Sequence, residues 1–320
     1  MQVNDQALAA GCRLFRATGA RSLGGFEAAL YEVTIHGVRH MLRFTPVAAG
    51  GLARFRARWE FVDYLARSGV AVSAPVESIN GSPIETLDES APSRTWGVVC
   101  VRWISGENLD PRRLSRTSAA VLRAWGALMG RMHSVARRFG DDERFPDWRE
   151  EATSFLEGSS DPAIRTRWQQ MIRSLEELPT DRACYGLVHN DLHYANILVD
   201  GSRVHAVDFD VCAYHWFISD IAVAMQAALW TEPSATVTDT AAWSRVFGEF
   251  MTGYRRENDL SDEWVQRLPT FLEYRRLLLY SVFVCEWAAP ASWQRARLAA
   301  WRRGIVDGVP VVSGGAGGVL

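Results

Sequence analysis

The period of apolar positions changes near residue 104. Before it the pattern is mostly that of strands. Leu30 to Ile35 and Val38 to Phe44 are rich in β-branched and aromatic residues, and His36-Gly37 between them is a hairpin turn signal. Arg54 to Arg67 interrupts the strands with a helical stripe of Phe55, Trp59, Val62 and Leu65 or Ala66, closed by Gly69. Ala74-Pro75-Val76, Pro83 to Leu87 and Trp96 to Trp103 predict further short strands, and Asp88 to Ser93 an exposed loop. Beyond Ser105-Gly106 the spacing turns helical. Thr117 or Ser118 caps a helix carrying Val121, Trp125, Leu128 and Met132 on one face. Helical patterns also cover 149–157, 162–177, 216–230, 241–257, 263–288 and 291–304. The pattern predicts an α+β chain: a small β-rich lobe over 1–103, a larger helical lobe over 104–310 and a disordered Gly-rich tail over 311–320. A ligand cleft is expected between the lobes.

One polar stretch stands out inside the helical half. His189-Asn190-Asp191-Leu192-His193-Tyr194-Ala195-Asn196 reads as a turn, followed by a short strand, a Gly201-Ser202 turn and a second strand ending at Asp208-Phe209-Asp210. Such a hairpin brings Asp191, Asn196 and Asp208 together. One carboxylate can orient a hydroxyl, while an amide oxygen and a second carboxylate suit hard divalent cations. Phosphoryl transfer from a metal-bound nucleotide requires that set.

Composition narrows the classes. The chain has 320 residues, with 48% apolar and 22% charged, as in ordinary globular proteins. A net charge of −2 argues against a general nucleic-acid binder, and no apolar run is long enough to span a bilayer. Five scattered cysteines without a CxxC pair read as reduced core residues of a cytoplasmic protein. All 35 basic residues are arginine. Any role that similar enzymes give to lysine falls here to a planar, always-charged fork. Residues 1–150 hold 20 arginines against 16 acids, and 151–320 hold 15 against 21, which suits a polyphosphate in the first half and a cationic co-substrate in the second. Oligomeric state is not legible.

His189-x-Asp191-x-x-x-x-Asn196, with Asp208-x-Asp210 seventeen residues after Asp191, resembles the aminoglycoside phosphotransferase family. That group is protein-kinase-like and includes choline and homoserine kinases; the resemblance runs over about residues 20 to 290. It implies a bilobal protein-kinase-like fold that uses ATP or GTP with Mg2+. It implies that Asp191 is the catalytic carboxylate, that Asn196 and Asp208 hold the metal, and that Asp210 touches metal or substrate. Ser22-Leu23-Gly24-Gly25-Phe26 resembles the phosphate-covering loop, in which Gly24 and Gly25 admit close backbone approach. Arg43 falls where the wider group places a phosphate-binding lysine, with Glu60 as its expected partner. Val98 to Ile104 resembles the hinge, with backbone groups near Val101 to Trp103 facing the purine. Asp220 resembles an aspartate that supports the catalytic loop, and His189 is expected to brace that loop. The acceptor is expected among His193, Tyr194, Tyr214, His215, Trp216, Glu273, Glu286 and Trp287, whose rings and carboxylates suit an amine-bearing alcohol.

The reading that follows is an ATP-dependent O-phosphotransferase acting on a hydroxyl of a small molecule, such as an aminoglycoside-like antibiotic or an amino alcohol. Three alternatives stand beside it: a protein serine/threonine kinase on the same scaffold, a zinc-dependent hydrolase using His189, Asp191 and His193, and a non-catalytic nucleotide-binding relative.

Overall fold

A computed structural model describes all residues except 26, 49, 91–92, 228–235 and 313–320. The chain divides into two compact units: residues 1–105 with 141–145, and residues 106–140 with 146–320.

The first unit is built on an antiparallel sheet of β1 (Thr18–Gly24), β2 (Ala29–Ile35), β3 (Val38–Val47), β4 (Glu85–Ser90) and β5 (Ser93–Arg102), in the order β1-β2-β3-β5-β4. His36 and Gly37, at φ +49° and +79°, make the tight turn that pairs Ile35 with Val38. Side chains alternate across the sheet. Leu42, Phe44, Trp96, Val98 and Cys100 form a core with Val3 and Ala7, beneath helix α1 (Asp5–Leu14). Arg43, between Leu42 and Phe44, is therefore carried to the opposite face. Helix α2 (Leu52–Arg67) buries Phe55, Trp59, Phe61 and Val62, and Phe61 meets Phe145 edge-on at 6.1 Å.

Several local expectations need correction here. Helix α1 went unpredicted because its buried positions are Ala7 and Gly11, too small to mark an apolar stripe. Asp88 to Ser90 is strand, not loop. Asp88 accepts from Thr95 Oγ1 at 2.8 Å and Glu89 from Trp96 Nε1 at 2.8 Å, so the ladder absorbs the acids. Ala74–Val76 makes only an isolated bridge, Pro75 to Val101, since proline has no N–H to give a ladder.

In the second unit, α3 (Ala119–Ala136) is capped by Ser118, whose Oγ accepts from Val121 N at 3.3 Å. It packs backbone-close on α7 (Thr240–Tyr254): a Cβ on Gly253 would lie 1.8 Å from Arg123 O. The other helices among the described residues are α4 (Trp148–Gly158), α5 (Pro162–Glu176), α6 (Phe217–Met225), α8 (Asp262–Val265), α9 (Leu268–Glu286) and α10 (Ser292–Asp307). The stripe predicted over 263–288 splits because Pro269 opens a new helix in its first turn. The last residues of the helix predicted over 216–230 lie outside the described residues. Two small sheets complete the unit: β6 (Tyr185–Val188) with β9 (Ala213–Trp216), and β7 (Ile197–Asp200) with β8 (Arg203–Ala206). The tail is ordered further than expected. Val311 is buried, its N–H donates to Glu273 at 3.0 Å, and its carbonyl accepts from Val237 N at 2.6 Å. Residues 313–320 lie outside the described residues. Among those described, no helix is long and apolar enough to cross a membrane.

Candidate active site

Strand β6 delivers the chain to His189, and the β7–β8 hairpin returns it to Asp208. Asn190 takes φ +65°, a left-handed conformation that asparagine tolerates better than most residues. The turn is held from α6. Asp220 is fully buried and accepts from His189 N at 3.1 Å and Asn190 N at 2.8 Å. Its carboxylate also lies 3.2 Å from His133 Nε2, while His133 Nδ1 lies 2.8 Å from Tyr254 Oη. Burial pulls the His133 imidazole below its usual range. Burial alone would raise Asp220, but the His133 hydrogen bond, the facing imidazoles and the His189 N–H outweigh it and hold the acid low. A neutral His133 donating to an ionised Asp220 satisfies every group in that chain. Asp220 thus fixes the loop, as the resemblance implied.

Asp191 is half-buried at the centre. Asn196 Nδ2 donates to its Oδ2 and to its carbonyl, both at 2.9 Å, and Arg275 Nη2 donates to Oδ1. Spending the amide N–H groups on Asp191 leaves the Asn196 amide oxygen as its remaining polar atom. Val207 N donates to Asn196 O at 3.0 Å, which sets Asp208 beside that amide's backbone. Asp208 is exposed at φ +66°, and Asp210 is half-buried two positions on. An amide oxygen and a carboxylate form an all-oxygen donor set, so the residues present fit a hard divalent cation. Asn108 clamps the hairpin from outside, its Nδ2 donating to Ala195 O at 2.7 Å and Ile197 O at 2.8 Å.

His189 and His193 both make hydrogen bonds within the loop, and among the described residues no group of three or more His, Cys, Asp or Glu is arranged to hold a metal ion. His189 Nε2 is 3.0 Å from Val207 O and its Nδ1 accepts from Asp191 N at 3.3 Å, so both nitrogens are used within the loop. His193 Nδ1 accepts from Ala195 N at 3.1 Å, and its Nε2 is 3.5 Å from Asp191 Oδ2. Burial lowers its pKa.

In the first unit, Gly24 and Gly25 take φ +82° and +130°, and a Cβ on Gly25 would lie 2.0 Å from Ala28 O. No other residue fits Gly25. Phe26 of the same loop lies outside the described residues. Arg43 is buried on β3, with Nε donating to Thr45 Oγ1 at 3.1 Å. Glu60 accepts from Arg144 Nη2 at 2.6 Å. Arg144 lies 84 positions after Glu60 in sequence but within the same unit. Val101 is fully buried in the ladder opposite Met41. The N–H groups of Arg102 and Trp103 already donate to Ala74 O at 2.9 Å and Arg39 O at 3.4 Å, and the Trp103 ring lies under the Arg39 guanidinium at 4.0 Å. Those two N–H groups are thus satisfied within the unit.

Of the acceptor candidates, Trp216 and His215 are fully buried and offer a ligand no surface. Trp216 donates Nε1 to Pro179 O at 2.7 Å. Tyr214 gives its hydroxyl to Gly140 O at 3.0 Å. Glu273 holds Arg276 and the Val311 N–H, so it anchors the tail. Glu286 is exposed at the end of α9, and Trp287 packs on Phe283 at 4.6 Å. Tyr194 stays beside the loop, its ring 5.1 Å from His193.

Two groups that sequence reading missed bind residues of the loop over 189–196. Arg275, on α9, binds Asp191 directly. Glu151, on α4, accepts from Tyr274 Oη at 2.8 Å and Asn190 Nδ2 at 3.3 Å, and burial pushes its pKa up. The only available signal for Arg275 was a charge pair, Arg275-Arg276, set just before the apolar run Leu277-Leu278-Leu279.

A family model described as the phosphotransferase enzyme family, APH, matches residues 20–260. The amicoumacin kinase of Bacillus subtilis (strain 168) is 28% identical over 305 residues, spanning 92% of this chain and 88% of the relative. Among solved structures, an amicoumacin kinase in complex with AMP-PNP, Ca2+ and Ami has a TM-score of 0.87 at 26% identity, covering 98% of this chain and 96% of that one. A microcompartment-associated aminopropanol kinase shares the fold, with a TM-score of 0.67 at 21% identity over 95% of this chain and 98% of its own.

Proposed function

We propose, for a chain that belongs to the phosphotransferase enzyme family and so is an ATP- and divalent-cation-dependent kinase of a small-molecule hydroxyl, that Asp191 orients the attacking hydroxyl. The observation that carries this is the double hold on its carboxylate, Arg275 at one oxygen and Asn196 at the other. A carboxylate fixed in this way presents its remaining lone pairs in a set direction, and orientation is most of what phosphoryl transfer asks of the protein. Asn196 and Asp208 would hold the divalent cation, with Asp210 as a further oxygen donor. When bound, that cation supplies neutralisation of the phosphate oxygens. Arg43 steadies the remaining phosphates, and the backbone of Gly24 and Gly25 covers them.

For the acceptor, two amicoumacin kinases matching more than nine-tenths of this chain favour a hydroxyl-bearing antibiotic over a protein substrate. The work is set in the cytoplasm, which supplies ATP and keeps the five free thiols reduced. The test is substrate-stimulated ADP release from Mg-ATP across amicoumacin, aminoglycosides and amino alcohols. At least one acceptor should be phosphorylated, and Asp191→Asn should lower that turnover by about a hundredfold to ten-thousandfold while ATP still binds. Wild-type turnover in Asp191→Asn would defeat the assignment.

A further inference from the structure

A permanent positive charge sits against Asp191, the proposed catalytic carboxylate, although a cationic alcohol had been expected. Arg275 is buried on α9, with a side chain only 9% exposed. Its Nη2 donates to Asp191 Oδ1 and its Nε to Gln226 Oε1 at 2.6 Å. Among the described residues its Nη1 has no partner, yet it is not among the sealed polar atoms. Among the described residues the guanidinium is therefore clamped at two nitrogens and unpartnered at the third, beside the carboxylate that orients the hydroxyl. The acids expected to welcome an amine are elsewhere: Glu273 is tied to the tail and Glu286 is exposed at the far end of α9.

We propose that Arg275 is a specificity-determining residue whose Nη1 receives a carbonyl or carboxylate oxygen next to the reacting hydroxyl. The preferred acceptors are then hydroxy amides and hydroxy acids, and a simple amino alcohol is disfavoured by like charge. This rests on the reading of Asp191 as the catalytic carboxylate. A hydrogen bond from a charged donor sets the preference at about ten- to a hundredfold.

Lactamide and 1-amino-2-propanol share a skeleton and differ at the carbonyl, so they form the probe pair. Calorimetric binding in the presence of AMP-PNP and Mg2+, with kcat and KM for each, gives the ratio. The full-length wild-type protein should favour lactamide by about tenfold or more, expressed in KM. Arg275→Met should bring the ratio to within about twofold, and Arg275→Lys, which keeps charge but loses the fork, should fall between. Should Arg275→Met fail to fold, Gln226→Leu carries the test: it frees Nε without touching the charge and should erode the ratio. Undetectable or equal binding of lactamide in the wild type, or a ratio that survives in Arg275→Met, overturns the proposal. Absence of ADP release with every acceptor would instead defeat the kinase role of Asp191, and the binding ratio would still decide that of Arg275.

Discussion

Asn190 and Asp208 both hold left-handed backbone, at φ +65° and +66°, one on each side of the catalytic hairpin. Strain of this kind persists only where surrounding bonds over-determine it. At Asn190 those bonds are Asp220 to its N–H and Glu151 to its side chain. The spacing of Asp191, Asn196 and Asp208 was readable in the sequence because the three lie on one hairpin. Arg275 was not readable, since it stands 84 positions from Asp191. The Glu60–Arg144 pair shows the same limit, since its members stand 84 positions apart in sequence. Two substitutions separate the roles. Arg43→Met should raise the KM for ATP about tenfold or more, because the proposed charge-assisted contact to phosphate is lost. Glu60→Gln, which disturbs an exposed pair with Arg144, should leave it within about twofold. An ATP titration of both variants checks the contrast.

At the scale of elements, α6 does the most for the site. Its nine residues are all buried, and its first turn presents Asp220 to two backbone N–H groups of the catalytic turn. Asp220→Ala leaves those donors and His133 without their acceptor in a water-free place. It should cost about 3–5 kcal/mol in a urea unfolding titration and abolish turnover. An unfolding midpoint equal to wild type would show that the carboxylate is dispensable. The β7–β8 hairpin was legible because Gly201-Ser202 separates two apolar runs, and Gly201 indeed takes φ +62°. Helix α1 and the α8–α9 break were not, because small residues and a first-turn proline leave the apolar period ambiguous.

Over the whole molecule, burial of neutral imidazoles ties stability to pH. His215 is fully buried and its pKa is lowered to about 3, chiefly by desolvation. The unfolded chain binds that proton at an ordinary value near 6.5, so stability is intact above it. Below it, stability falls by roughly 1.4 kcal/mol per pH unit for this group as pH drops toward the folded value. His133 adds in the same direction. Thermal melting from pH 7.5 to 5 should show Tm falling, and His215→Phe should flatten that slope; an unchanged slope refutes the cause. The division into a sheet unit and a helical unit, the catalytic hairpin and the all-arginine chemistry were written in the order of residues, since period, turn signals and local spacing act over short stretches of chain. The ion pair on Asp191, the burial of Trp216 and His215 and the pairing of Arg144 with Glu60 were settled only by tertiary packing. Each depends on which distant segments share a low-dielectric space, and no local pattern encodes that.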